Sequence, residues 1–322
     1  MKYRVVHTTR YRYSSPASLC YNQLHLTARD TPGQRVASSE FAIDPTPDDR
    51  TERTDTPGNS ITYFTVERPH DELSVTATTE FDVDPYDISP AAERSWESTR
   101  DTVIEALTSR EFLLESPLVP PLPELEAYAM ASFTPGRPII EAVADLTSRI
   151  HGDFLFDPGF TTVSTPLIEV MEHRRGVCQD FAHLAVGCLR SVGLAARYVS
   201  GYIETMPPPG EHKLIGADAS HAWCSVRLAD GSWLDMDPTN DVVGPDWYLT
   251  VAWGRDYSEV VPVQGVVMST GSGMALTVAV DVARIEEPPA WSGETAPQGV
   301  EGTLREQLHQ TQQQQQQTRP AP

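Results

Sequence analysis

Apolar and polar residues alternate in short runs through the first 84 residues of the chain. Residues 61–66 and 73–78 show this period-two pattern most clearly, with β-branched and aromatic side chains among them. Pro, Gly, Asp and Asn separate the runs, which is typical of strands joined by turns. The pattern predicts an N-terminal domain over residues 1–84, an antiparallel β-sandwich.

A connector and a helical region follow this domain. Residues 85–123 are rich in proline and show little periodicity apart from one predicted helix at 98–114. From residue 124 the pattern changes, and apolar residues recur at helical spacing over 138–146 and again over 167–173. We therefore expect a domain boundary within the connector.

A third helix is predicted to begin near Val177 and to end at Gly193. Its apolar residues form one stripe at the i, i+3, i+4, i+7 spacing, namely Phe181, Leu184, Ala185, Cys188, Leu189 and Val192. Strands are predicted next, at 196–203, 219–228 and 232–237, with a turn at Asp230-Gly231 between the last two. Helices that precede antiparallel strands indicate an α+β fold.

The C-terminal part contains one more strand and a tail. Residues 275–282 alternate cleanly and predict a strand, although the pattern does not say which sheet it joins. We group this strand with the second domain, residues 124–285. Residues 286–322 include six consecutive glutamines at 312–317, repeated prolines and few apolar side chains, which predicts a disordered tail.

Charge narrows the range of partners. The 322 residues include 45 acidic and 24 basic side chains, a net charge of −21. Such a surface repels phosphate backbones and anionic lipids, so we expect neither a nucleic acid nor a membrane partner. Nothing in the sequence indicates the oligomeric state.

The chain start and the cysteines favour a cytoplasmic location. Residues 1–7 alternate polar and apolar residues and lack the apolar core of a secretory signal. No segment approaches the roughly 18 uninterrupted apolar residues of a membrane helix. The four cysteines, Cys20, Cys178, Cys188 and Cys224, are scattered, unlike a disulfide framework. Reduced thiols in a cytoplasm fit this distribution best.

Cys178 is the first candidate for chemistry. A glycine-containing turn, Arg175-Gly176-Val177, delivers it to the start of the third predicted helix. Unpaired backbone N–H groups and the positive end of the helix dipole favour a thiolate there. The same N–H groups could bind the oxyanion of a tetrahedral intermediate. Taken alone, however, a cysteine in this position is more often a buried thiol.

His221 and Asp237 change that balance, because they lie on consecutive predicted strands and return to each other across one turn. Directly opposed residues of antiparallel strands share a face. A three-residue loop or a bulge would put both side chains on one face, whereas a strict two-residue loop at Asp230-Gly231 would separate them. We therefore predict the longer loop or a bulge. A thiolate, an imidazole and a carboxylate then form a nucleophile, a base and an orienting group.

Four ordered blocks resemble the bacterial transglutaminase-like family. They are Arg175-Gly176-Val177-Cys178-Gln179-Asp180-Phe181-Ala182-His183-Leu184, Ala196-Arg197-Tyr198-Val199-Ser200-Gly201-Tyr202, Ser220-His221-Ala222-Trp223 and Asp237-Pro238-Thr239-Asn240. The resemblance covers residues 154–262, and the first 84 residues resemble the N-terminal domain that often precedes this core. It implies a papain-like α+β catalytic core with Cys178, His221 and Asp237 as the triad.

The resemblance leaves the reaction open. We expect cysteine-dependent acyl transfer on an amide or isopeptide bond of a peptide or protein, with water resolving the acyl-enzyme as in a protease or amidase. A true transglutaminase, in which an amine resolves it, is the first alternative. A non-catalytic peptide-binding module is the second.

Other residues near the triad are expected to support it. Gln179 and Asn240 are candidate walls or supports of the site, and Asp180 is more often structural than catalytic in a first helical turn. His183 is interpreted as a helix-face residue. Trp223 and Trp233 flank the site and are more often core than substrate wall.

No cofactor and no metal site are expected. Cys178, His183 and Cys188 are separated by five residues each, which moves round a helix instead of along one face, and no Cys-x-x-Cys pair exists. No loop matches the spaced-oxygen pattern of a calcium hand.

Overall fold

The computed structural model describes residues 1–85, 87–105, 107–205, 220–271 and 273–285. The predicted tail, residues 286–322, lies outside the described residues. The strands are β1 (Lys2–Thr27), β2 (Gln34–Asp44), β3 (Asp49–Thr54), β4 (Ser60–Val66), β5 (His70–Val83), β6 (Leu155–Phe156), β7 (Arg175–Gly176), β8 (Ala196–Tyr202), β9 (Ser220–Arg227), β10 (Trp233–Asp237), β11 (Val242–Val243), β12 (Leu249–Gly254), β13 (Val263–Ser269) and β14 (Met274–Arg284). The α-helices are α1 (Trp96–Glu105), α2 (Pro123–Ala129), α3 (Ile139–Asp153), α4 (Leu167–His173) and α5 (Cys178–Ser191).

The N-terminal sheet is organised around β1, which alternates buried and exposed residues over much of its length. The first half of β1 lies between β5 and β14, and its second half lies between β4 and β13. Strands β2 and β3 extend the two halves beyond β5 and β4, giving seven strands in all. Side chains of both halves meet in one core cluster that includes Tyr11, Phe64 and Val75.

The strand at the C-terminal end belongs to this N-terminal sheet. The sequence order groups it with residues 124–285, but β13 and β14 both pair with β1. Val278, Val280 and Val282 on β14 are fully buried, in the same cluster as Tyr3 on β1. The pairing buries the apolar face of this strand. The sequence pattern shows the alternation but cannot show which neighbour covers that face.

The connector contains less α-helix than predicted. Instead of one helix at 98–114, α1 ends at Glu105 and a 3-10 segment spans Leu107–Leu113. Phe112 turns inward at the end of this segment and packs edge-on against Trp233, with ring centroids 5.3 Å apart. This long-range contact, which the local pattern cannot encode, accompanies the change in helix geometry.

The second sheet has the strand order β11-β10-β9-β8-β12, and α5 packs against β8 and β9. Helices α4 and α5 match the predicted ones closely, whereas α3 continues to Asp153, beyond the predicted 138–146. However, residues 178–189 of α5 are buried on every side and not along one stripe only. Helix α2 accounts for part of this difference, because Leu125 lies close to Gly187 on α5. The fold is thus α+β, as predicted.

The N-terminal sheet covers the exposed edge of the second sheet through two side-chain amides. Gln34 donates to the Thr250 carbonyl at 2.8 Å and accepts from the Thr250 N–H at 2.9 Å. Asn59 likewise donates to the Trp253 carbonyl at 2.7 Å and accepts from the Trp253 N–H at 3.0 Å. Each amide makes the two backbone hydrogen bonds that one residue of a neighbouring strand would otherwise make with β12. Within the described residues, no helix is both long enough and apolar enough to cross a membrane.

Candidate active site

Cys178 is the first residue of α5, and its position depends on the turn before it. Val177 is extended, at φ −119° and ψ −177°, and caps the helix without a side-chain hydrogen bond. The Asp180 carboxylate accepts the Val177 N–H at 2.8 Å and the Thr161 hydroxyl at 2.6 Å. One carboxylate oxygen therefore holds the turn and the preceding loop together.

Gly176 allows this carboxylate to lie under the turn. A Cβ atom at position 176 would come within 2.8 Å of the Asp180 side chain, which is too close for any real contact. Burial raises the pKa of Asp180 to about 6, against the lowering effect of its bonds from Thr161 and Val177. Through these contacts Asp180 stabilises the turn.

His221 and Asp237 share one face of the β9–β10 hairpin. Met236 lies opposite Cys224 and Trp233 lies opposite Arg227, so the next opposed position of Asp237 is Trp223. His221 is two residues from Trp223 and points to the same side.

The hairpin loop has the length that this pairing requires. Leu228 donates to the Ser232 carbonyl at 2.8 Å, which leaves residues 229–231 as a three-residue loop. Gly231 occupies its left-handed position at φ 93°. The prediction of a loop longer than two residues is confirmed.

The imidazole of His221 joins the other two candidate groups. Its Nε2 lies 2.7 Å from Oδ2 of Asp237. Its ring is also hydrogen-bonded to the Cys178 side chain. Because Nε2 faces the carboxylate, Nδ1 remains for the thiol. The structure therefore brings together three predicted residues, of which the first and the last are 59 positions apart in the sequence.

The electrostatics of the pair follow from burial and charge. Burial by itself lowers the pKa of His221, but the Asp237 carboxylate, its hydrogen bond and the contact with Cys178 outweigh burial and raise that pKa to about 10. Burial raises the pKa of Asp237, but the charge of His221 and the hydrogen bonds that the Asp237 carboxylate accepts lower that pKa to about 2. The two groups are thus an imidazolium and a carboxylate at neutral pH.

Two more side chains hold Asp237. Asn240 donates to its Oδ2 at 2.7 Å, and the Tyr248 hydroxyl donates to the same oxygen at 2.5 Å. The Thr239 N–H binds Oδ1 at 2.8 Å. Sequence reasoning missed Tyr248, since nothing in its spacing links it to the hairpin. It reaches the site because β12 begins directly after it.

Trp223 supports the site from inside the core. It is fully buried and stacks on the His221 ring, with centroids 6.2 Å apart and planes at 23°. Gly201 makes room for it, since a Cβ there would lie 2.5 Å from the Trp223 ring. Trp223 is therefore a core residue and fixes the plane of the imidazole, whereas Trp233 is half-buried and packs against Phe112.

Two more buried residues of α5 bind backbone groups outside the triad. Gln179 is buried, and its Nε2 reaches the Val163 carbonyl at 3.4 Å, so it borders the loop that also carries Thr161. His183 is buried and accepts the Tyr257 N–H at 3.1 Å. Burial lowers the pKa of His183 to about 4, so it is a neutral acceptor. It lies inside the core and not on an exposed helix face.

Comparison with known proteins assigns the family. Residues 3–82 match the family model described as the bacterial transglutaminase-like N-terminal region, and residues 128–238 match that of the transglutaminase-like superfamily. An uncharacterised protein of Mycobacterium tuberculosis is 42% identical over 296 residues, covering 88% of this chain and 93% of its own. A protein of Mycobacterium leprae is 33% identical over 291 residues, covering 88% of this chain and 98% of its own.

A solved structure extends the likeness to the whole fold. The protein comes from Cytophaga hutchinsonii and is provisionally described as a cysteine protease. It aligns with a TM-score of 0.65 at 20% identity, over 91% of this chain and 94% of its own. The chain belongs to the transglutaminase-like superfamily, and its core follows the N-terminal region found in bacterial members.

Proposed function

We propose that this protein is a cysteine-dependent enzyme that hydrolyses an amide or isopeptide bond in a peptide or protein. The observation that carries the proposal is the bridging position of His221, whose ring is bonded to both Cys178 and Asp237. Membership of the transglutaminase-like superfamily supports an acyl-transfer reaction in general. The preference for water over an amine in the second step rests on the risk that an unrestrained crosslinking enzyme poses inside a cell.

The residues supply each step of such a reaction. The imidazolium of His221 stabilises a Cys178 thiolate, which attacks the acyl carbon and forms a C–S bond. The C–N bond breaks as His221 donates its proton to the leaving amine. Water then loses a proton to the neutral imidazole and attacks the thioester, which releases the carboxylic acid and the thiol. Asp237 keeps the ring oriented throughout.

Thiol reactivity tests the nucleophile and base. The rate of iodoacetamide alkylation at Cys178 is measured by mass spectrometry against pH, in the wild type and in His221→Ala. We expect rapid labelling below about pH 7 in the wild type and slower labelling in the variant. Cys20, Cys188 and Cys224 are fully buried, at 0% exposure against 4% for Cys178, and serve as internal controls. Equal, slow labelling of both proteins would contradict an activated thiolate and favour a binding module.

Product analysis tests the reaction. A glutamine-containing peptide is incubated with the enzyme, with and without a primary amine, and the masses of the products are measured by mass spectrometry. Conversion to glutamate in both mixtures supports hydrolysis. An amine adduct as the main product would contradict it and favour a transglutaminase. Cys178→Ser, which retains the site but lacks the thiol, is the control.

We also propose a cytoplasmic location for this protein. None of the four cysteines, all of which lie in the described ranges, forms a disulfide, which is compatible with the reducing cytoplasm that we propose for this protein.

A further inference from the structure

The edges of the two sheets are protected in different ways. An exposed edge strand presents unpaired N–H and C=O groups, and proteins block such edges with charges or with covering groups. Strand β12 is covered by the amides of Gln34 and Asn59. Strand β3, at one edge of the N-terminal sheet, is exposed along its length and carries four charged residues, Asp49, Arg50, Glu52 and Arg53.

Strand β13 has no such protection. It contains no charged residue over Val263–Ser269, and Val266 and Met268 are 60% and 56% exposed. Tyr21, directly opposite Val266 on β1, is 51% exposed and widens this apolar face. Among the described residues, β1 is the only strand that pairs with β13. Within the described part of the chain, its other edge is therefore open.

The open edge has a defined set of hydrogen-bonding groups. His25 donates its N–H to the Pro262 carbonyl at 3.0 Å, which makes this a hydrogen-bonded pair. Such pairs alternate along antiparallel strands, so Gln264 and Val266 also direct their backbone groups to β1. Gly265 and Val267 then direct theirs outward.

We propose that the outer edge of β13 pairs with β13 of a second copy of this chain, antiparallel about a twofold axis at Val266. In that register Gly265 of one copy lies opposite Val267 of the other, and both carry outward N–H and C=O groups. The edge is therefore complementary to itself, as a twofold interface requires. Val266 lies directly opposite its own copy, so the exposed valines contact each other.

Charge favours this edge as the meeting point of two copies. Each chain carries a net charge of −21, so two copies repel each other over most of their surfaces. The other edge of this half of the sheet, β3, would bring two runs of charged side chains together. Strand β13 contributes no charge to the contact and supplies apolar side chains instead.

Substitutions at the axis test the pairing. Mass is measured by light scattering after size exclusion over a dilution series, for the wild type, Val266→Glu, Val266→Lys and the control Thr51→Glu. Thr51 is exposed on β3, so its change adds the same charge at the opposite edge. We expect dimers for the wild type and the control, and monomers for each Val266 variant, because like charges oppose each other at the axis.

Mixing the two variants distinguishes pairing from misfolding. Val266→Glu and Val266→Lys together should form a mixed dimer, because the opposed side chains then carry opposite charges. A wild type that stays monomeric at every concentration would overturn the proposal and leave the edge to a strand of a different protein. A dimer that persists in both Val266 variants would overturn it too, by placing the interface elsewhere. Neither result depends on thiol reactivity, so this test is separate from that of the proposed function.

Discussion

Cys178 reaches the site on a tight backbone turn, residues 175–177, whereas His221 and Asp237 reach it on one face of a two-stranded ribbon, the β9–β10 hairpin. The turn depends on close contacts, with the Asp180 carboxylate lying where a Cβ of residue 176 would be. The ribbon depends on strand register and on four hydrogen bonds to Asp237, from His221, Thr239, Asn240 and Tyr248. We therefore expect changes in the turn to act on stability and changes in the ribbon to act on chemistry.

The largest effect is expected from Asp237→Asn. An amide cannot accept from all four donors, and the pKa of His221 should fall from about 10 because its main raising cause is the Asp237 charge. Loss of a triad carboxylate costs about 10⁴-fold in turnover in a well-studied protease, and we expect about 10²- to 10⁴-fold here. The measurement is turnover together with the pH profile of Cys178 labelling. Asp235→Asn, on the same strand, is the control. Full activity of Asp237→Asn would contradict a role of the ribbon in the chemistry.

Asp180→Asn is expected to change the pH dependence of stability. A folded-state pKa of about 6 means that the fold binds this proton more tightly than the unfolded chain does. The stability linked to Asp180 is therefore fully present below about pH 4 and is lost as the pH rises through about 6. The difference is up to about 3 kcal/mol, at 1.36 kcal/mol for each pKa unit.

Urea unfolding at a series of pH values measures this effect. Asp180→Asn should gain stability relative to the wild type between about pH 4 and pH 7. Asp180→Ala should lose about 1–3 kcal/mol at any pH, because it leaves the Val177 N–H and the Thr161 hydroxyl unpaired in a buried place. Parallel stability curves for Asp180→Asn and the wild type would contradict a buried, ionising carboxylate.

Gly176→Ala tests the close contact in the turn. The added methyl group must displace the Asp180 side chain, so we expect about 1–3 kcal/mol of destabilisation and slower labelling of Cys178. Gly152→Ala makes the same chemical change on α3 with no atom within 4 Å, and it should stabilise slightly. Thermal unfolding of the pair measures the difference. Equal melting temperatures would mean that the turn has room to adjust.

Tyr248→Phe should have the smallest effect. It removes one donor to Asp237 but keeps the ring, which packs edge-on against His221 with centroids 5.9 Å apart. One hydrogen bond to a carboxylate contributes at least about 1.5 kcal/mol, so turnover should fall about tenfold, while the three other donors keep Asp237 paired. Tyr63→Phe, at an exposed tyrosine, is the control. A loss as large as that of Asp237→Asn would make Tyr248 part of the chemistry.

The ribbon was the more predictable of the two parts. Strand parity and a glycine in the loop were enough to place His221 and Asp237 on one face, because a strand has a strict two-residue period. The turn was predictable only in outline. Its helix start was visible, but Thr161, which binds Asp180, lies in a loop with no periodic pattern. Tyr248 was missed for the same reason.

The sequence by itself determined the local elements and the order of the candidate groups. Helices α4 and α5 and strands β8 to β10 follow from periodicity, and Cys178, His221 and Asp237 follow from residue type and motif. These features depend on neighbours a few residues away.

Only the tertiary structure decided which surfaces meet. It joined β13 and β14 to β1, buried α5 on every side, and covered β12 with Gln34 and Asn59. Periodicity reports that a side chain needs cover but carries no information about the distant segment that supplies it. The partners in these contacts are separated by up to about 280 positions, as Tyr3 and Arg284 on β1 and β14 are, so they were set by the shape of the assembled core.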